Sequence, residues 1–307
     1  MKEVAQHYMH FGGVSPINAQ NRELIAELKK SFSSRGIELP IYFGNRNWHP
    51  LLPETIRQMK QDGVRRALAF FTSAYSCYSG CRQYRENIRD ARQAAGESAP
   101  RIDKLRMFFN HPDFIDAAAD RVRSELDRIP LNRRHETRLV FTAHSIPLSM
   151  AEGCKYEAQL RESSRLVAEK VGGFSYDLVY QSRSGPPSQP WLGPDVCDYI
   201  ADLPGQGCTD LVVMPIGFLS DHMEVLFDLD IEAREAAEEA GLNMHRAKAV
   251  GTHPSLIRMI GDLVLERING SEKAVVGQLP ASHDVCPENC CLPGAHPLRP
   301  VTPSRSG

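Results

Sequence analysis

Short runs of β-forming residues recur along this chain, each closed by a Gly, Ser, Asn or Pro cluster and followed by a charged stretch with helical spacing. That alternation restricts the fold to the α/β class. Runs at 40–44, 66–71, 138–142, 176–180 and 211–216 carry the signal, with helices expected over 21–31, 53–62, 112–128, 156–171, 222–240 and 254–268. Strands joined by helical crossovers lie parallel with helices on both faces, and such sheets bind ligands outside the carboxyl ends of their strands. The residues that follow each run therefore matter most: 45–48, 72–75, 143–145, 181–186 and 217–222.

At 307 residues and 42% hydrophobic side chains, the chain can bury one large core or two smaller ones. Its spacing suggests two βα halves, 1–132 and 133–270, ahead of a Pro-rich tail, 271–307, with little core of its own. Thirty-six Lys and Arg against 38 Asp and Glu leave no field to hold a polyanion, which argues against nucleic acid and for a small-molecule or protein partner. The N-terminus lacks the apolar core of a signal peptide, and no run approaches the roughly 20 apolar residues of a membrane span, so a cytoplasmic protein is expected. Eight cysteines in such a compartment read as thiols or metal ligands.

In Thr142-Ala143-His144-Ser145-Ile146-Pro147 a strand delivers a histidine to the ligand edge of the sheet. Imidazole is a base near neutral pH and a ligand for divalent iron, although a lone histidine there more often caps a strand end. Ser220-Asp221-His222-Met223-Glu224 follows the 211–216 run, and Asp221, Glu224, Asp228 and Glu232 are spaced by three or four, which puts them on one helical face. Acidic residues in a first helical turn also complement the macrodipole, so the stripe alone is weak evidence. Nitrogen and carboxylate donors with open positions left over suit ferrous iron better than structural zinc. Segments 11–18 and 72–84 offer walls for a flat aromatic ligand with acidic substituents. In the tail, Cys286, Cys290 and Cys291 leave room for one more ligand, with Cys154, Cys77 and Cys81 as candidates; a 2Fe–2S cluster and structural zinc both fit such a set. Cys197 and Cys208 read as ordinary half-buried residues.

From about residue 4 to 268 an ordered set of motifs resembles the ferrochelatases, above all the bacterial coproporphyrin ferrochelatases with an iron–sulfur tail. The motifs are His7-Tyr8, Phe11-Gly12-Gly13-Val14-Ser15-Pro16-Ile17-Asn18, Tyr42-Phe43-Gly44-Asn45-Arg46-Asn47-Trp48, Thr72-Ser73-Ala74-Tyr75, Cys81-Arg82-Gln83-Tyr84, the His144 motif, Gln181-Ser182-Arg183-Ser184-Gly185-Pro186 with Pro190-Trp191-Leu192-Gly193-Pro194, and Ser220 to Glu224. The resemblance implies two similar Rossmann-like domains with parallel sheets facing a porphyrin cleft, and a lyase that inserts Fe2+, as substrate metal, into coproporphyrin III in haem biosynthesis. Protoporphyrin IX, or porphyrin binding without catalysis, are the alternatives. It implies an iron site of His144 and Glu224, porphyrin contacts at Ser15 and Tyr84, and a 2Fe–2S cluster on Cys286, Cys290, Cys291 and Cys154, with Cys77 nearer the animal position. Transient contact with neighbouring haem-pathway enzymes is a further expectation. Relative to that family the first strand and a Gly-rich loop are expected to be missing. His144 should then take pyrrole protons or present the metal, Glu224 should ligate iron, and Asp228 and Glu232 should relay ions or protons.

Overall fold

The structure, a computed structural model, describes residues 15–186 and 188–294. Half of the first expected wall, residues 11–14, lies outside them, as does the question of a first strand. The chain enters through α1 (Ile17–Ser34) and α2 (Leu52–Gln61), then β1 (Arg66–Ala69), a π turn (Tyr78–Arg82) continuing into α3 (Gln83–Ala95), β2 (Arg101–Lys104) and α4 (Pro112–Leu126). The second half runs β3 (Thr137–His144), α5 (Leu148–Ala151), α6 (Tyr156–Lys170), β4 (Tyr176–Gln181), α7 (Val196–Ala201) and β5 (Asp210–Met214). It closes with α8 (Met223–Phe227), a π turn (Asp228–Glu232), α9 (Ala233–Glu239), β6 (Asn243–Arg246) and α10 (Pro254–Asn269). β1 and β2 form one parallel sheet, and a second, four-stranded and fully parallel, has the order β4-β3-β5-β6.

Side chains alternate across the larger sheet as the pleat requires. Leu139, Phe141, Ala143, Leu178, Tyr180, Val212 and Met214 enter the layer that holds α4, α6 and α10. Val140, Val179, Leu211 and Val213 enter the opposite layer, with Val196 and Ile200 of α7, Val225 of α8 and Ala233 and Ala237 of α9. Both faces are therefore covered, and the central strands read as nearly continuous apolar runs. α4 and α10 begin alike: His111 Nδ1 accepts from Asp113 N at 3.2 Å, His253 Nδ1 accepts from Ser255 N at 3.2 Å, and a proline takes the first helical position in each. Those two histidines are thereby spent on structure.

The strand order decides where a ligand can sit. α6, after β3, lies on one face, and α8 and α9, after β5, lie on the other, while β3 and β5 are neighbours. The connections part there, opening a crevice beyond the carboxyl ends of β3 and β5.

Segment 40–44, expected as a strand, joins neither sheet among the described residues. Its polar groups are met locally: the Phe43 carbonyl accepts from Thr55 Oγ1 at 2.7 Å, and Asn45 exchanges backbone hydrogen bonds with Pro50 and Leu52. The tail forms no helix or strand over 271–294 yet is fastened to the body. Lys104 Nζ donates to His283 O at 2.7 Å, Asn110 Nδ2 to Leu279 O at 2.7 Å, and Arg82 Nη1 to the carbonyls of Glu288 and Cys290 at 3.0 and 3.1 Å.

Candidate active site

β3 ends on His144 and β5 runs into a loop that starts α8 one residue before Glu224. Gly217 lets these two strand ends close in. A Cβ on it would lie 2.6 Å from the Ala143 Cβ, and its N–H donates to Thr142 O at 3.0 Å. The approach leaves His144 Nε2 3.4 Å from Glu224 Oε1, with the two side chains 36% and 46% exposed, so both face the open crevice. His144 Nδ1 lies against the Ser145 carbonyl, which can only accept, so Nδ1 carries the proton and Nε2 is the nitrogen turned to the crevice. Tyr156 Oη donates to the His144 carbonyl at 3.0 Å and fixes the strand end from behind.

A chain of polar side chains, buried at Thr142 and Gln181, backs this pair. Thr142 Oγ1 donates to Gln181 Oε1 at 2.8 Å, Gln181 Nε2 donates to Asp228 Oδ2 at 3.1 Å, and Ser182 Oγ donates to the same carboxylate oxygen. Ser182 holds φ at 62°, a left-handed conformation that costs a non-glycine residue roughly 1–3 kcal/mol where it must be enforced, and here it aims the hydroxyl at Asp228.

The charges respond to one another. Burial alone would depress the His144 imidazole, but the facing Glu224 carboxylate outweighs it and leaves the pKa above the ordinary histidine value. Burial would raise Glu224, yet His144, His222 and Ser182 together hold it below the usual carboxylate range. Asp228 is raised, first by burial and then by the nearby Glu224 charge, against its hydrogen bonds from Ser182 and Gln181. His222 is lowered by burial and stands edge-on to Phe218, ring centroids 5.2 Å apart. The site thus holds an imidazole that titrates above the ordinary histidine value, a carboxylate held in its ionised form and a second carboxyl whose proton affinity is raised.

The four-carboxylate stripe expected on one helical face is corrected at its first member. Asp221 precedes the helix, because His222 is extended, and it turns away to Arg246 Nη1 at 2.8 Å and to Ala249 N at 3.1 Å. Glu224 and Asp228 stay together, and a π turn, not a regular helix, carries Asp228 to Glu232. Arg246 also reaches Asp230 at 3.0 Å, so one buried guanidinium grips the chain on both sides of Glu224.

Ser15 stands just before α1, and Tyr84 lies in α3. Ser15 Oγ accepts from Ile17 N at 3.4 Å at the start of α1, and one turn later Gln20 Nε2 donates to Asp221 O at 3.0 Å, beside the Glu224 loop. Tyr84 stacks on Phe71 with centroids 5.1 Å apart, and the Arg46 guanidinium sits 4.8 Å over its ring. Tyr75, also in the second expected wall, is buried and donates through Oη to the Ile216 carbonyl at 3.1 Å, which joins that wall to the end of β5.

Against this geometry the relatives are informative. The sequence matches the ferrochelatase family profile over residues 1–268. A ferrochelatase of Rhodopirellula baltica is 60% identical over 294 residues, covering 95% of this chain and 84% of the relative. The chain belongs to the ferrochelatase family. Ferrochelatases are lyases that insert a metal ion into a porphyrin. Proteins named coproporphyrin III ferrochelatase are also similar: that of Nocardia farcinica is 47% identical over 97% of this chain and 88% of its own length, and that of Streptomyces coelicolor 46% over 100% and 87%. Among solved structures, SirB from Bacillus subtilis with Fe3+ aligns with TM-score 0.57 at 15% identity over 81% of this chain and 89% of SirB. CbiX, the terminal enzyme of sirohaem biosynthesis in denitrifying bacteria, aligns at 0.51 and 15% identity over 81% of this chain and 92% of CbiX. These two show the α/β chelatase fold.

The tail brings further donors together. One atom each of His283, Cys286 and Cys290 lie within 4.8 Å of one another, and the Sγ atoms of Cys290 and Cys291 are 3.5 Å apart. Cys286 is drawn down by interaction with Cys81, with Lys104, Arg85 and His283 adding to it, whereas Cys154 is pushed up to about 11 by burial. His283 was not marked from sequence, although a histidine three residues before Cys286 was a usable signal. Arg246 left none, since it lies on an edge strand; Ser182 falls in the strand-end segment 181–186, but nothing in the sequence shows the φ of 62° through which it acts.

Proposed function

We propose that the chain inserts ferrous iron into coproporphyrin III, with His144 and Glu224 facing the metal and Asp228 behind them. The observation that carries this reading is the 3.4 Å contact of His144 Nε2 with Glu224 Oε1 at the crevice between β3 and β5. Insertion exchanges two pyrrole protons for one Fe2+, so the ring stays neutral while two protons must find acceptors. Neutral His144 offers its Nε2 lone pair to one of them, and Asp228, raised by burial and by Glu224, is placed to take a proton onward. Glu224, ionised and depressed, supplies carboxylate oxygen to the incoming cation. Ser15 and Tyr84 would contact the porphyrin, Tyr84 from under the Arg46 guanidinium.

The relatives named coproporphyrin III ferrochelatase support that porphyrin, whose four propionates ask for more donors than the two of protoporphyrin. Anaerobic turnover with Fe2+ should favour coproporphyrin III by at least about tenfold in kcat/KM, a difference of about 1.4 kcal/mol. Equal or better turnover of protoporphyrin IX would overturn the substrate assignment. The reading also puts the enzyme in the cytoplasm, in transient contact with neighbouring haem-pathway enzymes. No described helix is long and apolar enough to cross a membrane.

Protons and iron compete for His144 Nε2, which fixes the sign of the pH dependence. The imidazole is held above its ordinary pKa, so activity should fall as pH drops through that raised value, starting nearer neutrality than a free histidine would. Stability runs by linkage. The His144 contribution is present below its unfolded pKa and lost as pH rises through the raised folded one. The Glu224 contribution is present above its unfolded pKa and lost as pH falls through the depressed folded one. A kcat/KM profile flat from pH 5 to pH 8, about the histidine range, would contradict the role of His144.

The reading includes a 2Fe–2S cluster on the tail, with Cys286, Cys290, Cys291 and a body cysteine as ligands. The donor set fits: Cys290 and Cys291 are in sulfur contact, Cys286 lies beside Cys290, and Cys77, Cys81 and Cys154 face the tail from the body. Bound there, the group would supply one-electron redox capacity and a metal clamp on an otherwise coreless segment.

A further inference from the structure

The tail cluster proposed above needs a ligand from the body, and three cysteines compete for the place. We infer that it is Cys81: Cys81 and Cys286 hold one iron, Cys290 and Cys291 hold the other, and His283 faces the Cys290 sulfur from outside. This assignment rests on the cluster reading and deepens it.

A 2Fe–2S cluster has two tetrahedral metals with two protein ligands each, so its site should show two close donor pairs. Two thiolates on one tetrahedral metal, at a metal–sulfur distance of about 2.3 Å, sit roughly 3.7 Å apart. Cys290 and Cys291, with Sγ atoms 3.5 Å apart, already meet that spacing. Cys286 has its partner in Cys81: both enter one small apolar cluster with Phe71, Met107, Tyr84 and Ile88. Cys286 and Cys290 in turn fall within the 4.8 Å group that includes His283, which joins the two pairs.

The backbone of the tail is fastened at the same place. Arg82, the residue after Cys81, donates to the carbonyls of Glu288 and Cys290, and Lys104 donates to that of His283. The π turn ending at Arg82 is thus the surface on which residues 283–290 dock. Cys77 and Cys154 also face the tail, but each already has a hydrogen-bond partner within its own turn. Cys77 Sγ accepts from Gly80 N at 3.1 Å and touches Ser79 Oγ at 3.4 Å, capping that same π turn. Cys154 Sγ donates to the Ala151 carbonyl at 3.5 Å within its own turn. His283 Nε2 stands 3.6 Å from Cys290 Sγ, a position from which it donates to a ligand sulfur. Hydrogen bonds to cluster sulfurs raise the reduction potential.

The test uses the full chain purified anaerobically, as wild type and as Cys81→Ser, Cys77→Ser, Cys154→Ser, Cys291→Ser and His283→Ala, with iron, acid-labile sulfide and visible absorbance measured per chain. Cys81→Ser should lose at least tenfold in iron and sulfide, whereas Cys77→Ser and Cys154→Ser should keep wild-type content. His283→Ala should keep the cluster with a lowered midpoint potential. Cys81 is buried, so Cys81→Asp provides a second readout: an oxygen ligand on iron shifts the electron paramagnetic resonance of the reduced cluster, and the same change at Cys154 does not. A cluster retained in Cys81→Ser, or lost in Cys154→Ser alone, overturns the assignment and leaves the cluster standing. Loss in His283→Ala with retention in Cys291→Ser overturns it in favour of a three-cysteine, one-histidine set. Wild-type protein carrying zinc without sulfide overturns the cluster and this assignment together.

Discussion

His144→Ala should lower porphyrin metallation by about 10²–10⁴-fold, the range expected when a positioned general base is removed, or about 2.7–5.5 kcal/mol in the barrier. In the proposed reading the imidazole is the base at the crevice and offers the metal a nitrogen donor through Nε2, 3.4 Å from Glu224 Oε1. Glu224→Gln should also be severe, because it removes the anionic oxygen while keeping the shape. The double variant should be little worse than the poorer single one, since the two side chains act as one unit. Stability should hardly change. Both side chains are more than a third exposed, so their ion pair is screened, and the thermal midpoints of the variants should stay near wild type. Near-normal turnover of His144→Ala with iron and coproporphyrin III in excess would remove this residue from the mechanism, whatever its position.

How much of this was legible depends on where each residue draws its partners. β3 and β5 lie inside the larger sheet and β4 at its edge, all three with both faces covered by helices, so their apolar runs announced them. β2 (Arg101–Lys104) and β6 (Asn243–Arg246) are short edge strands rich in charge, and nothing in RIDK or NMHR marks a strand in isolation. Segment 40–44 shows the converse, a strand-like composition whose Phe43 carbonyl goes to the Thr55 hydroxyl. His144 and Glu224 were each weak alone, and what joins them is strand order, because only β3 beside β5 brings 144 and 224 within 3.4 Å. A 3.6-residue period also misread Asp221, which lies outside the helix and serves Arg246. The docking of the tail was invisible because its partners, Arg82, Lys104, Asn110 and Glu162, lie more than a hundred residues away in sequence.

Glu266→Ala should destabilise the chain by about 3–5 kcal/mol, the cost of leaving a buried ionic partner alone. Arg106 is 1% exposed at its side chain, and its guanidinium meets Glu266 through Nε to Oε2 at 2.8 Å and Nη2 to Oε1 at 2.9 Å. The pair is also the first fastening of the tail, since Glu266 Oε1 accepts from Ala274 N at 3.0 Å and Arg106 Nη2 donates to Ala274 O at 2.9 Å. Removing the carboxylate strands a cation in the core and breaks one of the two bonds to residue 274, so the loss should appear both as a lowered denaturation midpoint and as faster proteolysis beyond 270. Charge burial and shape can be separated. Arg106→Met with Glu266→Leu fills similar volume without charge, and buried ion pairs replaced in this way often lose little or even gain stability. That double variant should recover most of the global stability, yet it cannot restore the two bonds to residue 274, so its tail should stay more protease-sensitive than wild type. If Glu266→Ala unfolded at the wild-type denaturant concentration, the pair would be dispensable, and the fastening of the tail would fall to Arg82, Lys104, Asn110 and Glu162.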